Sequence, residues 1–344
     1  MTEPALADTL PGEEQAVGST APPAELLRAL GALSVVPPPA SDPISAALGL
    51  AAMTAADHTR LFVLDLPPYA SIYLGRDGNL GGEAADRVAG MWRALGLDPP
   101  ADPDHLATLL ALYAELGVAA VTCRTAAARA RLVHARSVLR AEHLVSWLDP
   151  YLTAAPSYPG AEGWARLCQA AMGHEPRRHA DQPLPAALRD APRCIQPTDN
   201  LDQLLDSLVT PIRIGFVLTH RDLQHAGNQI GLGVRRGERR YTLRAMLDQD
   251  PAATLGWLAG EARQWSTAYR RHPLDGATSR WWSARASSAA IILDTIATQA
   301  GPMPRTRGTR GPAVPTGSKH PGMTDTSVAS PEPPMFTSAP PAIS

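Results

Sequence analysis

Lysine is nearly absent: of the 31 basic residues only Lys319 is one. Arginine and alanine abundance in its place matches a GC-rich coding bias, so the arginine count alone does not indicate phosphate binding. The formal net charge of −2 provides no global attraction to nucleic acid or anionic lipid. Phenylalanine occurs 3 times and aromatics make up 5% of the chain. The core must therefore be Leu, Ala, Val and Trp, a palette that suits helix packed on helix better than a sheet. Cys123, Cys168 and Cys194 are widely spaced and odd in number with no CxxC pair, so neither a zinc site nor a disulfide framework is suggested. Glu3, Asp8, Glu13 and Glu14 precede the first basic residue, Arg28, the reverse of a secretory signal. No apolar run approaches the roughly 18 residues of a membrane span. These absences together lead us to expect a soluble, reduced, cytoplasmic protein.

What is present is helix broken by proline. The expected fold class is all-α, a helical bundle with an additional C-terminal helical unit and disordered tails. Residues 1–43 read as a Pro-rich N-terminal segment with a short helix over 25–36. Residues 44–173 read as a first helical domain, 174–198 as a linker, 199–300 as the C-terminal unit and 301–344 as a disordered tail. Within the first domain the periodicity predicts one helix from Ile44 to Leu66, with Leu48, Ala52, Leu61 and Leu64 on its apolar side, stopped by Pro67-Pro68. Helices follow over 82–95, closed by Gly96, and from Asp104 to about Leu116, where the Asp104 carboxylate suits the exposed amides of a helix start. A long helix over 125–152 and a short one over 163–172 complete the domain. In the C-terminal unit, helices are expected near 200–208, from Thr219 to Ile230, over 238–247, after the Asp250-Pro251 start signal, and over 281–299. The apolar run Ile214–Leu218 has the look of an extended segment.

Ten histidines invite a metal reading. His220 and His225 are five apart, as are His174 and His179, whereas helical ligand pairs want three or four. No HExxH, P-loop, GxSxG or GxGxxG occurs, and Asp104-His105 has no Ser or Cys nucleophile beside it. The chain is therefore expected to be no enzyme, with no metal and no cofactor. A DNA-binding reading rests on residues 213–245, where seven arginines face Asp222 and Glu238 in a faintly helix-turn-helix pattern. Its alternative is a solvated arginine face, which we prefer. By contrast, from Leu48 to Thr122 four arginines stand against nine carboxylates, a segment of net −5 in a nearly neutral chain. Such a surface suits a basic, apolar peptide.

Three short segments stand out because amphipathic packing alone does not require them. They are Pro68-Tyr69-Ala70-Ser71-Ile72-Tyr73, Pro103-Asp104-His105-Leu106 with Leu110 four on, and His143-Leu144-Val145-Ser146-Trp147. Together and in this order they resemble the TorD/DmsD/NarJ family of cytoplasmic chaperones for molybdenum enzymes, best over about residues 45–155. Two positions depart from the family pattern: Leu109 where a Glu is usual, and Glu142 where an aromatic is common. The resemblance implies an all-helical chaperone without turnover of its own. It would bind the twin-arginine signal peptide or N-terminus of a molybdopterin-dependent oxidoreductase catalytic subunit until the cofactor is inserted, with no nucleic acid, no stable membrane insertion, and a monomer or homodimer as its state. It further implies peptide contacts at Asp104 and His105. Tyr69, Ser71, Tyr73, Leu106, His143 and Trp147 are the accompanying candidate groove residues.

Overall fold

The computed structural model describes residues 23–173, 183–235, 237–271 and 274–301. Among them the secondary structure is helical, without a strand. The tails before 23 and after 301, and residues 174–182 of the expected linker, lie outside the described residues.

The first helix, α1 (Ala24–Leu33), carries Leu27, Leu30 and Leu33 one turn apart and buries all three. The Pro-rich opening of the chain thus contains a core element. The orphan carbonyls at the end of α1 are taken by the Ser34 hydroxyl on Gly31, the Trp164 indole N–H on Leu30 at 3.0 Å, and the His58 ring on Leu33 at 3.1 Å. Gly31 lets the partner helix come close: a Cβ there would sit 2.9 Å from the Cα of Ala107.

The single helix expected from Ile44 to Leu66 is instead broken. It consists of α2 (Asp42–Ala47), a loop turned by Gly49 at φ +65°, α3 (Ala55–Thr59) and a π-helical turn, Arg60–Asp65. Thr54 starts α3 by accepting from the Asp57 amide at 3.0 Å. The π turn spends an extra residue per turn and so rotates the face. Leu61 and Phe62 go into the core, while Val63 and Leu64 are 59% and 61% exposed. Leu64, expected on the apolar side, is on the outside.

Short α4 (Ala70–Leu74) and α5 (Gly82–Ala94) lead to α6 (Leu106–Thr122), which buries Leu106, Leu109, Leu110, Tyr113 and Leu116 and is the spine of the first core. The long helix expected over 125–152 is α7 (Ala126–Val138), a second π turn (Leu139–Leu144) and α8 (Val145–Thr153). Then α9 (Pro159–Gly173) adds Trp164, Cys168 and Met172.

The second half contains α10 (Ala186–Arg189), α11 (Leu201–Leu208), α12 (Pro211–Ile214), α13 (His220–Ile230), α14 (Arg239–Gln249), α15 (Pro251–Arg271) and α16 (Gly276–Ala300). Several starts follow the expected chemistry. Asn200 and Thr219 form capping boxes with Gln203 and Asp222, and Asp250 accepts from the Ala253 amide at 2.9 Å. Ile214–Leu218 is not extended. It is the end of α12, a left-handed Gly215, and a buried stretch, Phe216 to Leu218, packed against helices. With no neighbouring strand to take its amides, the run has no ladder to join.

Two apolar clusters result. One joins α1, α4, α6, α8 and α9; the other joins α11 to α16. Tyr269 from α15, Trp282 and Ala286 from α16, and Leu274 between the two helices belong to the first. Their attachment traces to one residue, Pro150, inside α8. Proline has no N–H, so the Ser146 carbonyl four residues earlier loses its helical donor. The Trp282 indole N–H fills that place at 2.9 Å. Beside it the Asp149 carboxylate accepts from the Leu274 amide at 3.1 Å and from the Ser279 hydroxyl. Burial is the main force pushing the Asp149 carboxyl up to about 7, with those two hydrogen bonds pulling the other way.

Two predictions follow from this joint. In the parent chain Trp282→Phe leaves a buried carbonyl without a donor and should cost about 1–3 kcal/mol beyond lost packing. In a Pro150→Ala background, where an amide N–H is restored, that extra loss should shrink. A denaturation double-mutant cycle measures the difference, and a coupling of zero sinks the explanation.

The second concerns pH. The raised Asp149 carboxyl contributes stability that is full below its unfolded value near 3.8 and lost as pH climbs to about 7. Burial pushes His143 down to about 4, so its contribution is full above 6.5 and lost as pH falls towards 4. The two oppose each other across the same window. Asp149→Asn should therefore show stability rising more steeply with pH than the parent between about pH 4 and 7. Urea midpoints at several pH values test this, and parallel curves would show that Asp149 does not hold its proton in the fold.

Candidate functional site

The three segments singled out in the sequence come together in space. The chain before α4 and the chain before α6 run side by side: Ala70 N–H donates to the Asp104 carbonyl at 3.1 Å, and Leu106 N–H to the Pro68 carbonyl at 2.8 Å. The Asp104 carboxylate does not cap its own helix, as its position suggested. It accepts from the Ser71 amide at 2.9 Å, inside the first turn of α4. The cap of α6 is His105, whose Nδ1 accepts from the Ala107 amide at 3.1 Å. That hydrogen bond places the neutral ring's proton on Nε2, and burial lowers the ring's pKa. Pro-Asp-His is thus a double cap, one residue for each of two helices.

Around it the other predicted residues pack in layers. Tyr69 meets the His105 ring edge-on with centroids 4.7 Å apart. Ser71 is fully buried and its Oγ accepts from the Gly81 amide at 3.0 Å. Tyr73 donates to the Pro67 carbonyl at 3.1 Å and stacks on Trp147 at 5.3 Å. Trp147 in turn donates to the His143 carbonyl at 2.8 Å, an acceptor offered by the π turn. Ser71, Tyr73, Asp104, Leu106, His143 and Trp147 are all buried, and Tyr69 is half-buried. Glu142, where the family pattern has an aromatic, accepts from the Ala186 amide at 2.7 Å and so caps α10.

Sequence reasoning did not single out the surface beside this knot. Val63 and Leu64 are exposed, followed by half-buried Asp65 and, after the prolines, Tyr69. Burial raises the Asp65 carboxyl, with Arg221 nearby pulling it back down. Arg221 and Asp222 also line a cleft of about 920 Å³ between the α8–α9 connection, Thr153–Ser157, and α15, which contributes Glu261, Trp265 and Arg271. Burial raises Glu261 as well, reinforced by Asp222. The sequence did hold a signal: Leu61-Phe62-Val63-Leu64 is four apolar residues in a row, and one α-helical face cannot hide all four.

The arginine-rich segment has a different arrangement from a groove-reading helix. Arg240 contacts Asp206 at 2.6 Å and Asp202 at 2.9 Å, Arg244 contacts Asp202 at 3.3 Å, and Arg239 donates to the Leu218 carbonyl at 2.9 Å. Arg213 donates to the Arg76 carbonyl at 2.9 Å. These guanidinium groups are engaged within the chain. Among the described residues no three His, Cys, Asp or Glu side chains gather as metal ligands, and no helix is long and apolar enough to cross a membrane.

The class this fold defines is an all-helical body in which the three segments build an internal double cap. Residues 27–152, somewhat more than a third of the chain, match the family model of the nitrate reductase delta subunit. The match spans α1 to α8 and contains all three segments. No curated protein matches the chain, and no solved structure does.

The double cap generates a third prediction. Asp104→Ala strands the buried Ser71 amide and should lower stability by about 1–3 kcal/mol. Asp104→Asn, which keeps an acceptor oxygen, should recover most of it. Equal loss in both variants, read by thermal or urea unfolding, would show that the charge rather than the cap matters.

Proposed function

We propose that this chain is a cytoplasmic maturation chaperone. It holds the twin-arginine signal peptide or N-terminus of a molybdopterin-dependent oxidoreductase catalytic subunit while the cofactor is inserted. The observation that carries this reading is the family match, whose span contains the two helices that the cap joins.

The peptide's chemistry suggests where it would lie. Two guanidinium groups followed by an apolar run need carboxylates beside exposed apolar side chains. The strip Val63-Leu64-Asp65 to Tyr69 has both, with exposed Asp102 near the Tyr69 hydroxyl. At about 3.3 Å per residue the strip spans at most about 20 Å, the reach of a short peptide. In this reading Tyr69 and the His105 edge are the parts of the predicted cluster that a peptide touches. Ser71, Tyr73, Asp104, Leu106, His143 and Trp147 hold that edge in place from behind.

Titrating a synthetic peptide with Arg-Arg ahead of an apolar run into the full chain tests the placement. Asp65→Asn with Asp102→Asn should weaken binding at least about tenfold at low salt and flatten its salt dependence. Asp104→Asn should leave both unchanged. Unchanged affinity in the double variant overturns the assignment of the strip, and failure of the full chain to retain any molybdopterin oxidoreductase subunit in a pull-down overturns the function.

A further inference from the structure

The cleft of about 920 Å³ belongs to the part of the chain that the family match does not reach: every residue that lines it lies beyond residue 152. Along α15 its lining residues Glu261, Trp265, Ala268 and Arg271 recur at three- and four-residue spacing and so form one stripe. From Glu261 to Arg271 the stripe is about 15 Å long at about 1.5 Å per residue.

The stripe has a different chemistry at each end. Glu261 is half-buried and in no ion pair among the described residues; its carboxylate accepts from the Gln264 amide at 3.3 Å. Its neighbour Asp222 is spent on the Thr219 amide and hydroxyl at 2.8 and 2.7 Å. At the other end Arg271 is exposed, with no hydrogen bond or ion pair among the described residues, whereas Arg263 is paired with Asp294. Between the ends lies Trp265. Phe216 and Tyr269 hold its ring, with centroids 6.4 and 5.7 Å away, and its indole N–H has no acceptor among the described residues.

The acidic end adjoins the strip. Arg221 lines the cleft and also acts on the Asp65 carboxyl. Tyr158, next to the wall residue Ser157, donates to the Asp57 carbonyl at 3.2 Å, and α3 leads directly into the π turn that ends at Asp65. A chain lying on the strip therefore has a way into the cleft past Arg221. Trp265 and Arg271 are about 9 Å apart along the helix, the span of two to three extended residues at about 3.3 Å each.

We propose that the cleft takes the continuation of the client peptide, an apolar or aromatic residue lying on Trp265 and a carboxylate two residues further on pairing with the Arg271 guanidinium. Its assignment to the client rests on the reading of the strip as the client's site. The second half of the chain thereby adds a requirement that the strip lacks, an acidic residue at a set distance from an apolar one.

The first probe is a blocked Phe-Ala-Glu tripeptide, with Phe-Ala-Gln as its twin; neither has a cation for the strip. In the full chain the indole N–H resonance of Trp265, identified by its loss in Trp265→Phe, should shift at about tenfold lower concentration of the Glu form. Arg271→Gln should remove that difference, and Asp65→Asn with Asp102→Asn should leave it. The second probe is the Arg-Arg peptide with its apolar run, extended by Phe-Ala-Glu behind the run or by Glu-Ala-Phe ahead of the arginines. One of these should bind at least about tenfold tighter than its Gln twin, and no tighter in Arg271→Gln. Equal shifts from the two tripeptides overturn the carboxylate site. A selective tripeptide without any gain in the extended peptides overturns the assignment to the client. Tripeptide selectivity beside a complete failure of the Arg-Arg peptides to bind counts against the strip, and the client assignment falls with it.

Discussion

The joint between the two halves depends on a proline placed where a helix should not have one. Pro150 leaves the Ser146 carbonyl without its usual donor, in a region closed to water. A buried acceptor with no partner is more costly than a hydrogen bond is favourable, so α8 can persist only where another donor arrives. Trp282 provides it from α16, and the neighbouring Asp149 fastens the Leu274 amide and Ser279 in the same place. The matched family segment ends at residue 152, immediately after this point. The helical hairpin α15–α16 is thus attached to the last turn of that segment, through groups that α8 alone leaves unsatisfied.

The Asp-His pair works by the same logic. Each residue satisfies an orphan amide at a different helix start, and the two starts are thereby locked together through one peptide bond. This explains why a histidine occupies a position that simple amphipathic packing would give to any small polar residue. It also explains why the surrounding aromatic residues, Tyr73, Trp147 and Tyr151, can pack as a continuous stack: the backbone beneath them has little freedom to shift.

Much of this was legible in the sequence because its causes are local. Thr125, Asn200, Thr219 and Asp250 begin helices by accepting amides two or three residues on, and Gly96 and Gly231 end them with left-handed backbone. The family segments could be read for the same reason, being short and ordered. What stayed hidden has distant causes. The partner of Asp104 is 33 positions away and that of Ser146 is 136 away, so no window reveals either. The π turns also escaped notice. A period of 3.6 explains Leu61 well enough, and only the burial of the surrounding helices shows that Leu64 has been turned outwards. Leu64, which periodicity assigned to the interior, is one of the exposed residues.

That π turn also sets which side chains the helix shows to solvent. A π turn is an α-helix with one residue too many, and removing a residue between Arg60 and Asp65 would restore the ordinary winding. Within this helix, the side chains after the deletion would shift by about 100° about its axis. The outward turn of Val63 and Leu64 thus depends on the winding of this one turn.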